Sequence, residues 1–329
     1  MSAAIEIHGM SKRFGKIEAV RDLSFEVEAG RVTGFLGPNG AGKSTTLRML
    51  LGLIHTNSGE GTFDGRRYED LPHPSAHVGV VLEEASVHPG RSGRNHLRVL
   101  AAAGNHPDGR VDEVLDTVGL KAAANRRVKG YSMGMRQRLA IAAALLGDPE
   151  VLILDEPANG LDPPGIRWMR DLLRSEAARG RAVLVSSHLL SEVAQAADDV
   201  VVIAGGVLRA SGTLESVLGG TDGPVTRVRA SEAARLADAL RERGMLVEPD
   251  GAGPVERGAA ALGAERSAAA AVAERGPASA TARAALLVRG TSPDAVGAVA
   301  AEHGIALSEL VAVARSLEDA FLELTAEAA

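Results

Sequence analysis

Short, continuously apolar runs recur through the first two thirds of the chain. Such runs are typical of strands in a parallel sheet, because helices cover both faces of that sheet and leave no polar side. Two earlier segments, 5–7 and 23–27, alternate apolar and polar residues, which predicts half-exposed antiparallel strands. The two patterns together predict an α/β core. The apolar runs are Val32–Leu36, Val78–Leu82, Val151–Leu154, Ala182–Val185 and Val200–Ala204.

Between the second and third of these runs the pattern becomes helical. Apolar residues over 92–147 recur at helix-compatible spacings, which predicts a helical insertion between core strands. We therefore assign a helical subdomain to about 84–147 of the chain. The residues at these spacings are Leu97, Leu100, Val111, Val114, Leu115 and Val118.

A change in composition predicts where the first domain ends. Residues 219–224 are almost all turn formers, so we expect a first domain over 1–220 and a second over 221–329. Within the second, residues 251–281 are rich in Ala, Gly, Glu and Arg without a steady period, which is typical of a flexible insert rather than of a core.

The second domain contains a weak internal repeat. A strand–helix–strand pattern begins at Val228 and recurs at Val288, 60 positions later (288 minus 228). Its closing strands are predicted at 244–247 and 304–307. Two such units predict a small α+β domain of the ferredoxin-like kind.

Composition narrows the functional classes. The chain has 329 residues, 45% of them hydrophobic, and no apolar run approaches the roughly 18 residues that cross a bilayer. The net charge of −6 and the 2% aromatic content argue against a nucleic-acid partner, which usually requires a basic excess or stacking platforms. The absence of cysteine fits a reducing compartment, and the first ten residues lack a secretory apolar region.

The most informative segment, 37–45, reads Gly-Pro-Asn-Gly-Ala-Gly-Lys-Ser-Thr between a predicted strand and a predicted helix. This is a complete G-x-x-x-x-G-K-S phosphate-binding loop in the context that the motif requires. Its glycines allow tight turns, and its amides face an anion at the N-terminus of the helix. Lys43 can reach the β- and γ-phosphates, and the Ser44 hydroxyl can ligate Mg²⁺. The segment predicts binding of a nucleoside triphosphate.

A second motif ends the run Val151–Leu154 in two acids, Asp155 and Glu156. A buried strand that ends in this way carries its carboxylates to the edge of the sheet where α/β ligands bind. Alone, the pattern is more often a simple strand end. At 112 positions after Lys43 (155 minus 43), it predicts that Asp155 holds Mg²⁺ and that Glu156 is a general base toward the attacking water.

A third motif, Ser132-Met133-Gly134, precedes a basic helix start. A hydroxyl, flexible amides and a helix dipole can cradle an anion, yet the same serine can be an ordinary helix cap. Taken alone, the segment favours the cap. Its place 23 positions before Asp155 (155 minus 132) favours the cradle instead.

The order of these three motifs resembles the ATP-binding cassette (ABC) family over roughly residues 3–220. The resemblance implies a P-loop NTPase core with a helical insertion, ATP and Mg²⁺ as cofactors, and catalysis by Lys43, Asp155, Glu156 and His188. It implies that Phe14 stacks on adenine, that Asp162 lies in the D-loop, and that His188 contacts the γ-phosphate. The implied nucleotide-binding residues are Phe14, Gly37, Asn39, Gly40, Ala41, Gly42, Lys43, Ser44, Thr45, Ser132, Gly134 and Asp162, and the implied metal ligands are Ser44, Glu83 and Asp155.

Two positions depart from the family pattern. Glu83 stands where the family has the Q-loop glutamine, which keeps an oxygen for the metal but adds negative charge beside the triphosphate. Met133 and Met135 replace the usual Gly and Gln of the signature.

The segments 87–97 and 316–325 are similar to the ATPases of actinobacterial drug and antibiotic exporters, including the daunorubicin and bacitracin types. Packing of an amphipathic helix is an adequate alternative for 316–325. The resemblance implies a homodimer that sandwiches ATP beneath a separate integral-membrane permease, at the cytoplasmic face of the membrane. The same resemblance implies that the cargo is a drug, an antibiotic or a lipid-like molecule.

Two other hypotheses belong to different classes. A soluble ABC ATPase acting on ribosomes or DNA generally has two cassettes or long coiled coils, whereas this chain has one phosphate loop and no heptad run. A simple P-loop kinase leaves Ser132 and His188 without a role.

Overall fold

The computed structural model describes residues 3–82, 87–188, 195–219, 225–250 and 285–313. Glu83, the insert predicted at 251–281 and the tail segment 316–325 lie outside the described residues. The chain divides into two compact units, the second of which begins at Gly219.

The first unit contains two sheets. A six-stranded sheet has the order β5-β6-β7-β3-β8-β9, in which β9 alone pairs antiparallel, and a three-stranded antiparallel sheet has the order β2-β1-β4. The predicted buried strands and both half-exposed strands are confirmed. The strands are β1 (Ala3–Phe14), β2 (Ile17–Glu28), β3 (Val32–Leu36), β4 (Ser58–Phe63), β5 (Val78–Val81), β6 (Val151–Asp155), β7 (Ala182–Ser187), β8 (Asp199–Ala204) and β9 (Val207–Thr213).

Alternate residues of the large sheet face two hydrophobic clusters. Leu152 and Leu154 of β6 belong to a cluster with Leu139 from the helical side, while Ile153 packs with Leu23 in the cluster that includes the antiparallel sheet. Because β3, β6 and β7 are buried at every position, their sequences show no polar alternation.

Helices cover the large sheet, and the described part of the predicted helical insertion contains three α-helices and two short 3-10 helices. Ser92 and Ser132 cap two of these helices by accepting hydrogen bonds from the backbone N–H groups of Asn95 and Met135. In the described part of the chain no helix is long and apolar enough to cross a membrane. The helices of the unit are α1 (Lys43–Leu50), α2 (Pro74–His77), α3 (Gly93–Ala103), α4 (Gly109–Thr117), α5 (Met133–Ala144), α6 (Pro163–Ala178) and α7 (Leu214–Gly219).

The second unit is a four-stranded antiparallel sheet with two helices. Its strand order is β11-β12-β10-β13, and alternate residues of β10 are buried together with Leu236 and Val296 of the helices. The elements are β10 (Val225–Ala230), α8 (Ala233–Glu242), β11 (Leu246–Pro249), β12 (Ala285–Arg289), α9 (Pro293–Glu302) and β13 (Leu307–Val313).

One strand of the second unit differs from the prediction. The closing strand expected at 304–307 begins only at Leu307. Gly304 has a φ of +64°, and the N–H of Ile305 donates back to the carbonyl of Ala300, so this segment ends the helix. The buried side chain of Ile305 gave the segment its strand-like apolar character.

A stability prediction follows from the close contact between β5 and α5. A Cβ at Gly79 would lie 2.3 Å from the carbonyl oxygen of Ala144, a backbone atom that cannot rotate away. We expect Gly79→Ala to lower the free energy of unfolding by about 1–3 kcal/mol, as overpacking does. Urea unfolding followed by circular dichroism measures the change.

Gly109→Ala is the matched control, because a Cβ there meets nothing within 4 Å and the residue starts helix α4. We expect it to be neutral or to stabilise by about 0.4–1 kcal/mol. Equal unfolding curves for the two variants would contradict the tight packing at Gly79.

Candidate active site

The glycine loop after β3 is held close to neighbouring backbone. Gly42 has a φ of +104°, and a Cβ there would lie 2.5 Å from the carbonyl oxygen of Ala19. A Cβ at Gly37 would lie 2.5 Å from the carbonyl oxygen of Ile203. The space therefore requires glycine at both positions, and at Gly42 the turn conformation requires it as well. Helix α1 begins directly afterwards at Lys43.

The loop opens into a polar cavity of about 300 Å³. The cavity brings together most of the predicted phosphate-binding residues with Glu156 and His188, although these lie more than a hundred positions further along the chain. Ala19 also lines this space and was missed by the sequence analysis, and Asn159, which lies in the predicted D-loop with Asp162, lines it although only Asp162 was predicted to bind nucleotide. The lining residues are Ala19, Asn39, Gly40, Ala41, Gly42, Lys43, Ser44, Thr45, Glu156, Asn159 and His188.

The ammonium group of Lys43 is buried and fully engaged. Its Nζ donates to the carbonyl oxygens of Gly37 at 2.6 Å and Pro38 at 3.3 Å. It also lies 3.4 Å from Oε1 of Glu156. Three oxygens thus hold a cation at the base of the cavity, where an incoming phosphate would meet it.

Glu156 bridges Lys43 and His188. Its Oε2 lies 2.8 Å from Nδ1 of His188, while its Oε1 faces the lysine. The residue has a φ of +50°, a conformation that is strained for a side chain of this kind. Such strain persists only where the surroundings fix the residue, and it aims this carboxylate into the cavity.

Asp155 lies one residue earlier and is 1% exposed. Its Oδ1 accepts a hydrogen bond of 2.5 Å from the hydroxyl of Ser186, the residue that pairs with it on β7. The same Ser186 oxygen accepts a bond of 2.9 Å from the N–H of Glu156. None of the described residues hydrogen-bonds the Oδ2 of Asp155.

A free, buried carboxylate oxygen fits a divalent cation or a water bound to one. Within the described residues no group of three or more His, Cys, Asp or Glu side chains could hold a metal by itself. Mg²⁺ suits this arrangement, because it binds through one or two protein oxygens and completes its shell with phosphates and water.

Among the described residues, six predicted site residues do not line the cavity. Gly37 and Asp155 lie behind the lining, and the other four are Phe14, Ser132, Gly134 and Asp162. The Ser132 hydroxyl caps α5, the Asp162 carboxylate caps α6, and a Cβ at Gly134 would lie 3.4 Å from the side chain of Leu161. Phe14 is 47% exposed at the end of β1. It has the ammonium of Lys12 5.1 Å from its ring centroid.

The segment around Ser132 is tied to the loop that follows Glu156. A Cβ at Gly160 would lie 2.2 Å from the sulfur of Met133, so the methionine packs directly on this glycine. Further along α5, the Arg138 guanidinium stacks 3.9 Å from the ring centroid of Trp168 on α6. Burial lowers the pKa of Arg138, and the carboxylate of Asp162 acts in the opposite direction.

Several known proteins are similar to this chain. A family model described as ABC transporter matches residues 20–159. The uncharacterized ABC transporter ATP-binding protein YdbJ of Bacillus subtilis is 38% identical over 70% of this chain and 76% of its own length. The bacitracin transport ATP-binding protein BcrA of Bacillus licheniformis is 42% identical over 63% of this chain and 69% of its own length. The Nod factor export ATP-binding protein I of Burkholderia lata is 37% identical over 72% of this chain and 80% of its own length.

The fold has counterparts among solved structures. The structure of an ATP-binding subunit of an ABC transporter aligns with a TM-score of 0.60 and 27% identity. The alignment covers 65% of this chain and 91% of that one.

The ion pair between Lys43 and Glu156 generates a prediction. Glu156→Gln removes the negative charge beside the lysine, so we expect tighter binding of ATP. It also removes the group that accepts a proton, so hydrolysis should fall about 100-fold or more. Equilibrium dialysis with ATP and a phosphate-release assay measure the two effects.

Glu150→Gln is the control, because it makes the same change on an exposed side chain just before β6 begins. We expect it to leave both quantities unchanged. Weaker ATP binding in Glu156→Gln would contradict the competition between this carboxylate and the phosphates.

Proposed function

The chain belongs to the ABC transporter family, and on that premise we propose that it is the ATP-hydrolysing subunit of an ABC exporter. It powers efflux of a drug, an antibiotic or a lipid-like substrate through a separate permease. The observation that carries the proposal is the convergence of Lys43, Glu156 and His188 at the end of the glycine loop.

ATP is bound by charge and by backbone amides. The amides of the glycine loop and of the first turn of α1 surround the phosphates, and Lys43 neutralises the β- and γ-phosphates. Asn39, Gly40 and Thr45 line the same space. On arrival, the phosphates replace Glu156 as the anionic partner of Lys43.

Glu156 then serves as the general base. Its carboxylate orients a water for attack on the γ-phosphorus and accepts the proton as the new P–O bond forms and the bond to ADP breaks. The ring of His188 lies 2.8 Å from this carboxylate, which supports a role for His188 beside the base, and we infer that it contacts the γ-phosphate.

We assign the metal ligands to Ser44 and Asp155, with Glu83 as a further ligand. Mg²⁺ bound there supplies positive charge that offsets the charge on the β- and γ-phosphates. The unpartnered Oδ2 of Asp155 and the place of Ser44 in the cavity lining support the assignment.

We further propose that the site is completed by a second copy of the chain. Ser132, Gly134 and Asp162 do not line the cavity of their own chain. In a two-fold sandwich, the N-terminus of α5 from one copy would face the γ-phosphate held by the other. Phe14, exposed at the end of β1, would stack on the adenine ring.

The other partner is an integral-membrane permease, and nucleic acid is not a partner. The chain would therefore lie peripherally at the cytoplasmic face of the membrane. Export as the direction of transport is supported by the relatives whose names refer to bacitracin transport and Nod factor export.

For the domains, we propose a cassette over 1–220, with its helical subdomain at about 84–147, and an accessory domain over 221–329. We infer that the accessory domain is ferredoxin-like. Its strand–helix–strand–strand–helix–strand sequence and its sheet order β11-β12-β10-β13 support this inference.

The two-copy site predicts complementation between variants. Ser132→Arg spoils the half-site that a chain offers to its partner, and Lys43→Ala spoils the half-site that it uses itself. A mixed dimer keeps one intact site, whereas either homodimer keeps none. Random pairing of an equal mixture makes half of the dimers mixed, and each mixed dimer has one intact site of its two. About a quarter of all sites are then intact, so we expect about a quarter of the wild-type ATPase rate.

The measurement is ATP hydrolysis across mixing ratios, with each variant alone as the control. Failure to recover at any ratio, with both variants folded, would mean that each site is built within one chain.

A further inference from the structure

Ser186 lies on β7, beside the end of β6 where the two acids emerge. The two strands pair in parallel, and Ser186 is in register with Asp155. The side chain of Ser186 is fully buried at 0% exposure. Solvent therefore does not contact this side chain, and its surroundings are protein atoms.

Its hydroxyl uses both its hydrogen-bonding capacities on the two acids. The O–H donates to Oδ1 of Asp155 at 2.5 Å, and the oxygen accepts the N–H of Glu156 at 2.9 Å. A hydroxyl has one proton to donate and lone pairs to accept, so a single oxygen satisfies both bonds.

Each bond satisfies a group that has no partner in the regular sheet ladder: the backbone N–H of Glu156 and the buried carboxylate of Asp155. The chain turns out of the sheet at Glu156 with a φ of +50°, so this N–H points away from the regular ladder and requires another acceptor. Asp155 is buried and has one oxygen fixed by Ser186, which leaves Oδ2 as its free oxygen.

We propose that Ser186 is a positioning residue for both carboxylates: it selects which oxygen of Asp155 is free for the cation and holds the backbone from which Glu156 projects. The proposal rests on the proposed function, since Ser186 would hold the same two acids that are assigned there to the metal and to the water. His188 follows directly after β7 ends at Ser187, and its Nδ1 lies 2.8 Å from Oε2 of Glu156.

The test measures metal binding separately from turnover. The full chain carries Glu156→Gln, which we expect to slow hydrolysis about 100-fold or more, with Ser186→Ala or Ser186→Thr added. Mn²⁺ is titrated against the ATP-loaded protein and followed by electron paramagnetic resonance. ATP binding without metal is measured in EDTA. We expect Ser186→Ala to weaken Mn²⁺ binding about 10-fold or more, as loss of a group that orients a metal ligand does.

ATP binding in EDTA should stay at the level of the Glu156→Gln parent, because the glycine loop is untouched. Ser186→Thr keeps the hydroxyl and should restore much of the Mn²⁺ affinity. Val183→Ala is the control for a packing defect, since this residue of β7 is equally buried but pairs with Leu152, three positions before Asp155. It should lower the melting temperature without changing Mn²⁺ affinity.

Unchanged Mn²⁺ affinity in Ser186→Ala would overturn the positioning role. Equal weakening in Val183→Ala and Ser186→Ala would do so too, because the effect would then be general loosening of the strand. Failure of the proposed function gives a different result: the parent protein itself would bind neither ATP nor Mn²⁺ with ATP.

Discussion

Parallel pairing of β6, β7 and β3 brings the parts of the site to one edge of the sheet. These strands are neighbours in the order β6-β7-β3, and all three run in the same direction. Their carboxyl ends therefore meet, and each is followed by one component: the glycine loop, the pair of acids, or the segment with His188. Residues far apart in sequence come within hydrogen-bonding distance without any long loop having to fold over them.

That geometry concentrates charge in a buried place, and the resting protein compensates for it internally. Lys43 and Glu156 have side chains only 6% and 8% exposed, and each is the other's partner. Desolvation of such a pair costs free energy unless further hydrogen bonds satisfy it, and here two loop carbonyls and His188 do so. Under the proposed function, a phosphate that displaced Glu156 from Lys43 would also free this carboxylate to accept a proton from water.

The sequence was most informative where one residue type alone fits. The phosphate loop could be recognised because a Cβ at position 37 or 42 would lie 2.5 Å from a backbone oxygen, so that glycine alone fits. The buried strands could be recognised because they lack any polar side. Strand β4, with its Ser-Gly-Glu-Gly sequence, has little intrinsic β-propensity and forms because β1 pairs with it. Ser186 carries no sequence signal of its own, since its importance depends on the acids that end the neighbouring strand. In the second unit, a buried Ile305 made the end of a helix resemble the start of a strand.

The sequence allows two interpretations of Ser132, as a helix cap or as part of an anion cradle, and in the structure the first does not exclude the second. Its oxygen accepts the N–H of Met135, as a helix cap does, and this leaves its own proton available to donate. The cap also fixes the hydroxyl at the N-terminus of α5, where the helix dipole favours an anion. Packing of Met133 on Gly160 and stacking of Arg138 on Trp168 join this helix to the elements after Glu156. A displacement of α5 would therefore also move the loop that follows Asp155 and Glu156 in the same chain. In a dimer with shared sites, these contacts would link two parts of one chain. The first is the segment around Ser132, which would act on the partner's nucleotide, and the second is the loop beside Lys43 and Glu156, which would act on the chain's own nucleotide.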